Sequence, residues 1–318
     1  MSPKPYLKLR KDIADRDKSL REKVVSLEEA ASLIHNEETI GIGGSTLSRT
    51  PMAMIWALIR AKKRNLTACR SIVSSEGDLL LGSGICKSIE TSWFSQGIVW
   101  GVSKVMRRFA EAESMAYQEW SHLAMGLRFR AGAMGVPFLP MRSMIGSDLV
   151  SQRPEVQEMK CPFTAEPLLL IPALNPDVAI IHVQRCDPYG NAHIDGLQFM
   201  DIDLAMAAKR VILTTERIVS NQQIRRTPDQ TKIPFFTVDA VVEVPYGSAP
   251  HECGGHYEPF FRHMDYYTST VNSDPVKGLN DYIEKFIYGP KSWTDYLSLI
   301  GLDHLLEASQ GGRSIFND

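Results

Sequence analysis

The chain has 318 residues, of which 44% are hydrophobic and 23% are charged, a composition typical of globular domains. Its formal net charge of −2 gives no reason to expect a nucleic-acid-binding protein. The longest apolar run, residues 168–174, is interrupted by Pro172 and is far too short to span a bilayer, so no membrane segment is predicted.

The amino-terminal residues alternate acidic and basic side chains and lack the apolar core of a signal peptide. We expect residues 1–24 to form a polar extension and residues 25–318 to form one domain. The five cysteines are odd in number and scattered, with no C-x-x-C spacing. A reduced, cytoplasmic location is therefore expected.

Helices and strands alternate from residue 26 onward. Ser26 and Glu29 have the spacing of a capping box and predict the start of a short helix. A strand is predicted over 39–42, a helix over 51–63 and a second strand over 66–73. A β-α-β unit of this kind implies parallel pairing with a right-handed crossover.

The alternation continues through the rest of the chain. The predicted elements are a helix over 121–135, strands near 138 and over 178–183 and 192–194, a helix over 200–209, strands over 211–215 and 240–244, and helices over 281–287 and 302–308. The predicted fold class is therefore α/β, an open and mostly parallel sheet flanked by helices, with a helical carboxyl-terminal end.

A glycine loop, Gly43-Gly44-Ser45-Thr46, follows the first predicted strand. Two glycines permit a positive φ and a close approach of ligand to the main chain, and N–H groups exposed there can stabilise an oxyanion. The spacing does not fit the dinucleotide fingerprint, because Thr46 stands where the third glycine would be. A simple tight turn between strand and helix is the alternative.

The acidic segment 74–78 follows the second predicted strand, so we expect it at the same edge of the sheet as the glycine loop. The Glu76 carboxylate is a candidate nucleophile or base. We favour a role for Ser75 and Glu76 in contacting substrate or in shaping the loop.

Ser121 and His122 lie at the start of a predicted helix, where free N–H groups favour an anion. His122 is a candidate proton donor or acceptor. An N-capping serine beside a surface histidine explains the pair equally well.

His251 and His256 suggest a metal site, but no metal is predicted. The two histidines are five positions apart, so they would not share a helix face, and the intervening Gly254 and Gly255 argue against a helix. The sequence also lacks a G-x-S-x-G elbow, a P-loop and a zincin motif.

Residues 36–51 resemble the opening signature of the α subunits of class I coenzyme A transferases, with Gly43, Gly44 and Pro51 at the positions of that pattern. Five further segments resemble, in the same order, motifs of the α subunit of glutaconate CoA-transferase: G-V-P-F-L-P at 135–140, P-D-V-A-I-I-H at 176–182, D-P-Y-G-N at 187–191, V-D-A-V-V at 238–242 and P-Y-G-S-A-P at 245–250.

Two positions depart from the family pattern. Ser45 stands where much of the class has phenylalanine, and Arg49 stands where it often has glycine. The resemblance to the family therefore does not identify the acyl group of this chain's substrate.

The resemblance implies a sugar-phosphate-isomerase-like version of the α/β fold and the α subunit of a heteromeric, glutaconate-type acyl-CoA:carboxylate CoA-transferase. A homologous β subunit would carry the catalytic glutamate, and this chain lacks that segment. The substrates would be a coenzyme A thioester and a small carboxylic acid, with no tightly bound cofactor.

No catalytic residue is expected in this chain, Glu76 being the single candidate. The residues expected to contact substrate or coenzyme A are Gly43, Gly44, Ser45, Thr46, Ser75, Glu76, Ser121 and His122. Two alternatives stay open: an acyl-CoA hydrolase or decarboxylase on the same fold, and a non-catalytic ligand-sensing module.

Overall fold

The computed structural model describes residues 3–112 and 117–317, with side chains described for residues 7–112 and 117–310. The strands in these residues are β1 (Thr39–Ile42), β2 (Leu66–Cys69), β3 (Ile72–Val73), β4 (Cys86–Thr91), β5 (Trp93–Phe94), β6 (Tyr117–Glu119), β7 (Phe138–Met141), β8 (Gln157–Lys160), β9 (Pro167–Pro172), β10 (Val178–Cys186), β11 (Ala192–His193), β12 (Arg210–Ile218), β13 (Thr231–Ile233) and β14 (Ala240–Glu243).

The helices in the same residues are α1 (Pro3–Ala14), α2 (Leu27–Ser32), α3 (Met52–Arg60), α4 (Ser75–Gly82), α5 (Lys104–Ala112), α6 (His122–Met134), α7 (Asp201–Ala207), α8 (Asn221–Arg226), α9 (Phe261–Ser273), α10 (Lys277–Tyr282), α11 (Trp293–Ile300) and α12 (Leu302–Asn317). Two 3₁₀ turns, Pro228–Gln230 and Phe235–Thr237, and a π-helical turn, Ile283–Tyr288, complete them. In the described part of the chain, no helix combines the length and the apolarity needed to cross a membrane.

The main sheet confirms the predicted fold class. Its parallel strands lie in the order β14-β12-β10-β1-β2-β4-β6, and β11 and β13 add an antiparallel extension at the carboxyl end of β10. Strand β10 is buried on both faces. Because side chains alternate along a strand, Val178 and Ile180 pack beneath α2, α3 and α4, while Ala179 and Ile181 pack beneath α6 and α7.

The strand predicted over 66–73 is wrong in its middle, because it breaks at Arg70 and Ser71. Strand β2 ends at Cys69, and β3 pairs with β5 in a separate two-stranded sheet. The segment 74–78 follows β3 as the start of a helix, since Ser75 begins α4 and the first turn of α4 is buried. The tertiary contacts of Arg70, described below, account for the break.

The proposed boundary at residue 24 falls within hydrogen-bonded structure. Lys23 donates to the Pro188 carbonyl at 2.9 Å, and Val25 donates to the Val241 carbonyl at 2.9 Å. The segment therefore runs beside β14, joined to it by a bridge between Val24 and Val241. The division of the chain into an extension and a domain stays a prediction.

Helices α6 and α7 pack through Gly132 without room for a side chain. A Cβ on Gly132 would lie 2.7 Å from the Leu174 carbonyl oxygen and 2.9 Å from the Ala207 Cβ. One on Gly126, in the same helix, would meet only the flexible Met200 side chain, at 3.3 Å. Gly132 therefore sets how closely α6, which carries Ser121 and His122 at its start, lies against α7 and the Leu174 backbone.

We expect Gly132→Ala to destabilise the protein by about 1–3 kcal/mol through overpacking, although alanine favours a helix. The matched control Gly126→Ala should be neutral or stabilising by up to about 1 kcal/mol. Urea-induced unfolding measures both midpoints. Equal midpoints for the two variants would show that the close contact at Gly132 is absent.

Candidate functional site

The glycine loop lies where the strand order of the sheet reverses. From β1 the chain proceeds to β2, β4 and β6 on one side, whereas β10, β12 and β14 extend the sheet on the other. Between β1 and β10 the connections leave in opposite directions, which opens a crevice at the carboxyl ends of these strands. Ligands of open α/β sheets bind in crevices of this kind, so the loop after β1 occupies the favoured position for a site.

The loop needs glycine at position 44. Gly44 has a φ of +69°, and a Cβ on it would lie 2.1 Å from the Ser48 carbonyl oxygen. The four N–H groups of the loop all donate within the chain: Gly43 to Ile180 O at 2.9 Å, Gly44 to Asp201 Oδ1 at 2.7 Å, Ser45 to Ser48 O at 3.1 Å and Thr46 to Ile72 O at 3.2 Å. The expected outward-pointing N–H donors are therefore not found in this conformation.

Arg49 and Asp201 form a buried ion pair on one side of the loop. The Arg49 Nη1 donates to Asp201 Oδ2 at 2.6 Å, and both side chains are 1% exposed. The same guanidinium donates to the carbonyl oxygens of His182 and Leu197 at 3.0 and 2.8 Å. Arg49, a departure from the family pattern, thus connects the glycine loop to β10 and to the start of α7.

Arg70 and Glu76 form a second buried ion pair beneath the loop, and neither is exposed. Arg70 also donates to the carbonyl oxygens of Gly43 and Thr46, at 3.2 and 3.0 Å. Glu76 Oε1 accepts from the Ser74 N–H at 2.9 Å, whereas its Oε2 has no partner among the described residues. Glu76 is therefore the counter-ion of Arg70 and does not face solvent.

Ser75 is connected to the loop through His251. The Ser75 Oγ lies 2.6 Å from His251 Nε2, and His251 Nδ1 lies 2.8 Å from Thr50 Oγ1. Burial and then the nearby Arg70 charge lower the pKa of His251 well below its ordinary value, so the imidazole is neutral at neutral pH. A neutral imidazole donates at one nitrogen and accepts at the other, which fixes the hydroxyl of Ser75.

Asp78 lies one position beyond Gly77 on α4 and is also buried. It accepts from Gln96 at 2.6 Å, from Ser103 at 2.5 Å and from Tyr267 at 2.8 Å. Burial raises the pKa of this carboxyl to about 7. These three donors join α4 to its neighbours, so the acidic residues of the segment stabilise the scaffold of the site.

Ser121 and His122 lie on the same edge of the sheet but apart from this cluster. Ser121 caps α6, accepting from the Ala124 N–H at 3.1 Å, and the exposed His122 Nδ1 lies 3.2 Å from Ser92 Oγ. They follow β6, three strands from β1, which corresponds to about 14 Å across the sheet. The structure thus brings Ser75 and Glu76 beneath the glycine loop and leaves this pair to one side.

Only one group of described residues could hold a metal ion: His182, Glu216 and Cys253. The Glu216 oxygens already accept from Tyr257 at 2.6 Å and from the Tyr246 N–H at 2.7 Å. Although burial raises the pKa of Glu216, its hydrogen bonds, first of all with His182, bring it below the ordinary value. His182 and Glu216 are therefore hydrogen-bonded to protein partners on the ring nitrogens and carboxylate oxygens that would face an ion.

Four residues that support the loop were not predicted from the sequence: Thr50, Arg70, Asp201 and, as a polar partner, His251. An available signal was Arg70, a charge within an otherwise apolar strand, which requires a buried counter-ion. No comparable signal marked His251, whose partner Ser75 is 176 positions away.

A family model described as Coenzyme A transferase matches residues 24–244, more than half of the chain. The chain belongs to the coenzyme A transferase family, as the sequence motifs predicted. The A-type subunit of glutaconate CoA-transferase from Acidaminococcus fermentans is 31% identical over 304 residues, which cover 89% of this chain and 93% of that protein. An uncharacterized protein of Archaeoglobus fulgidus is 37% identical over 297 residues, and the match spans 92% of this chain but 65% of that protein.

Solved structures agree with this assignment. The structure of glutaconate coenzyme A-transferase from Acidaminococcus fermentans is similar with a TM-score of 0.86 and 30% identity, covering 90% of this chain and 95% of that chain. A variant of the decarboxylase AibA/AibB is similar with a TM-score of 0.73 and 27% identity, covering 83% of this chain and 100% of that chain. Membership of an enzyme family gives no support to the non-catalytic sensing alternative.

The buried ion pair of Arg70 and Glu76 allows a quantitative prediction of the free energy of unfolding. We expect Glu76→Gln to destabilise the protein by roughly 3–5 kcal/mol, because it leaves a buried guanidinium without a counter-charge. The double variant Arg70→Met/Glu76→Gln should lose less than the sum of the two single variants. Urea-induced unfolding of the three variants measures this coupling.

The exposed pair of Lys277 and Asp281 provides the control, since Asp281→Asn should leave the unfolding midpoint close to the parental value. Additive effects of the Arg70 and Glu76 substitutions would contradict the ion pair.

Proposed function

We propose that this chain is the α subunit of a heteromeric acyl-CoA:carboxylate CoA-transferase of the glutaconate type. The observation that carries the proposal is the match to the A-type subunit of glutaconate CoA-transferase over 89% of the chain. The position of the glycine loop at the reversal of strand order supports it. A homologous β subunit is the proposed partner, and the proposed substrates are an acyl-CoA thioester and a small carboxylic acid.

In the proposed reaction, a glutamate of the partner attacks the thioester carbonyl and releases coenzyme A thiolate, giving a mixed anhydride. The thiolate then attacks the glutamyl carbonyl of the anhydride, which releases the first acid and leaves a glutamyl-CoA thioester. A second carboxylic acid receives coenzyme A by the reverse sequence. Each attack places negative charge on a carbonyl oxygen, which hydrogen-bond donors can stabilise.

The donors of this chain are proposed to be side-chain hydroxyls. The N–H groups of the glycine loop are all engaged, whereas among the described residues the hydroxyls of Ser45 and Thr46 make no hydrogen bond. They belong to a loop that is held by two buried ion pairs. We therefore propose these two hydroxyls, at the carboxyl end of β1, as the donors.

Ser75 and Glu76 are proposed to support the loop from below, with His251 fixing Ser75. Because Glu76 is fully buried, we do not propose that it attacks a substrate. Ser121 and His122 are proposed to contact the more distant part of the acyl-CoA, because they lie on the same edge of the sheet. No tightly bound cofactor or metal is proposed.

The runner-up is an acyl-CoA decarboxylase or hydrolase on the same fold, and similarity to the decarboxylase AibA/AibB favours it. The three chemistries differ in what an acyl-CoA yields when no acceptor acid is present. A hydrolase releases free coenzyme A, a decarboxylase releases carbon dioxide, and a transferase forms no net product. Incubating the assembled complex with one acyl-CoA therefore distinguishes them.

We expect the isolated chain to have no transferase activity and to gain it when mixed with a homologous β chain of similar size. The reason is that the proposed nucleophile belongs to the partner. Transfer of coenzyme A between acids is measured with each chain alone and with the mixture. Robust turnover by this chain alone would contradict the two-chain proposal and would make Glu76 the candidate nucleophile.

We expect Ser45→Ala to lower kcat of the assembled complex by about 10²–10³, the typical effect of removing one oxyanion donor. Assembly should be preserved, since the Ser45 hydroxyl bonds to no described residue. Ser269→Ala, at an exposed position of α9, is the matched control and should retain parental turnover. A Ser45→Ala complex with unchanged kcat would show that this hydroxyl is not a donor to the reacting oxygen.

A further inference from the structure

A cavity of about 270 Å³ lies between the amino-terminal segment, here residues 10–18, and the end of α6. The amino-terminal segment contributes the cations Arg10, Arg16 and Lys18 to its wall. Helix α6 begins beside the glycine-loop edge of the sheet and ends at this cavity, about 20 Å away along a helix of this length. The cavity is therefore separate from the site at the carboxyl ends of the strands.

The cationic wall of the cavity has no carboxylate partners among the described residues. None of Arg10, Arg16 and Lys18 forms an ion pair within 4.0 Å. The nearby Asp239 acts on Arg16 only at longer range, and its Oδ2 already accepts from the Val211 N–H at 2.8 Å. Three positive charges thus face one cavity without neutralisation at contact distance.

Two of these cations also have structural partners. The Lys18 Nζ donates to the Ala14 carbonyl at 2.7 Å, and the Arg10 guanidinium lies beside Gly135 at the end of α6. Cations at helix carboxyl ends are favoured by the helix dipole. Arg16 differs, because it forms no hydrogen bond with any described residue: its Nε and Nη1 are buried without partners, which leaves Nη2 as the guanidinium nitrogen that a ligand in the cavity can reach.

Buried donors without acceptors are costly, and guanidinium groups are well suited to bind phosphate or carboxylate oxygens. The rest of the wall is mainly apolar and includes Ile13, Met206 and Phe236. We propose that this cavity binds a small organic anion, whose phosphate or carboxylate group pairs with Arg16 and whose carbon skeleton packs on the apolar wall. The volume limits the ligand to a small molecule.

The proposal is tested by calorimetric titration of the full chain with three probes: phenyl phosphate, inorganic phosphate and glutarate. We expect phenyl phosphate or glutarate to bind, with an affinity that falls as salt is added. Phenyl phosphate binding alone identifies a phosphate ligand, and glutarate binding alone identifies a carboxylate ligand. Inorganic phosphate should bind more weakly than phenyl phosphate, because it lacks the apolar part.

Arg16→Met should weaken binding by roughly tenfold or more, as expected for losing charge-assisted hydrogen bonds. Arg16→Lys should lose less, since it retains the charge. Arg226→Met, which removes an exposed cation on α8, is the matched control and should bind as the parent does. A second disruptive variant, Met206→Trp, fills the cavity without changing its charge and should abolish binding.

Hydrogen exchange adds a local readout: the bound probe should slow exchange in residues 7–18 and 132–135. Thermal unfolding of each variant shows whether it is folded. The proposal is overturned if neither phenyl phosphate nor glutarate binds the parent chain. It is equally overturned if folded Arg16→Met and Met206→Trp variants both bind with parental affinity.

Discussion

Two buried ion pairs hold the glycine loop from opposite sides, and the geometry of the candidate site depends on them. Asp201, paired with Arg49, accepts the N–H of Gly44, while Arg70, paired with Glu76, donates to two carbonyl oxygens of the loop. Burial of a charge is costly unless the charge is paired and hydrogen-bonded. The conformation of the loop is therefore coupled to the stability of the surrounding core.

The topology of the sheet determines where this loop lies. Since β1 and β10 are neighbours from which the chain leaves in opposite directions, a crevice forms at their carboxyl ends. Strands β2, β4 and β6 end at the same edge of the sheet, and the segment after each strand brings polar side chains to that edge. One supports the loop, through Arg70, and another presents His122 to solvent. A single parallel sheet thus provides a rigid support and an exposed rim.

The sequence alone predicted the structure correctly where residues close together in the chain determine it. The strand predicted over 39–42 matches β1, and Ser26 forms the predicted capping box, because alternation and capping depend on near neighbours. It failed where distant contacts decide. The break at Arg70 follows from contacts with the glycine loop, and Ser75 meets His251 across 176 positions. The family motifs located the loop, but only the three-dimensional arrangement showed that its N–H groups are engaged.

The four N–H groups of the glycine loop are all hydrogen-bonded within the chain, which affects how new activities can arise on this fold. Because Gly44 and its neighbours find their hydrogen-bond partners within one chain, the conformation of the loop does not require contacts from a second chain. Under the proposed function, the reacting group belongs to the other polypeptide. Replacement of that group then changes the chemistry while this chain stays intact, so the two halves can evolve as separate modules.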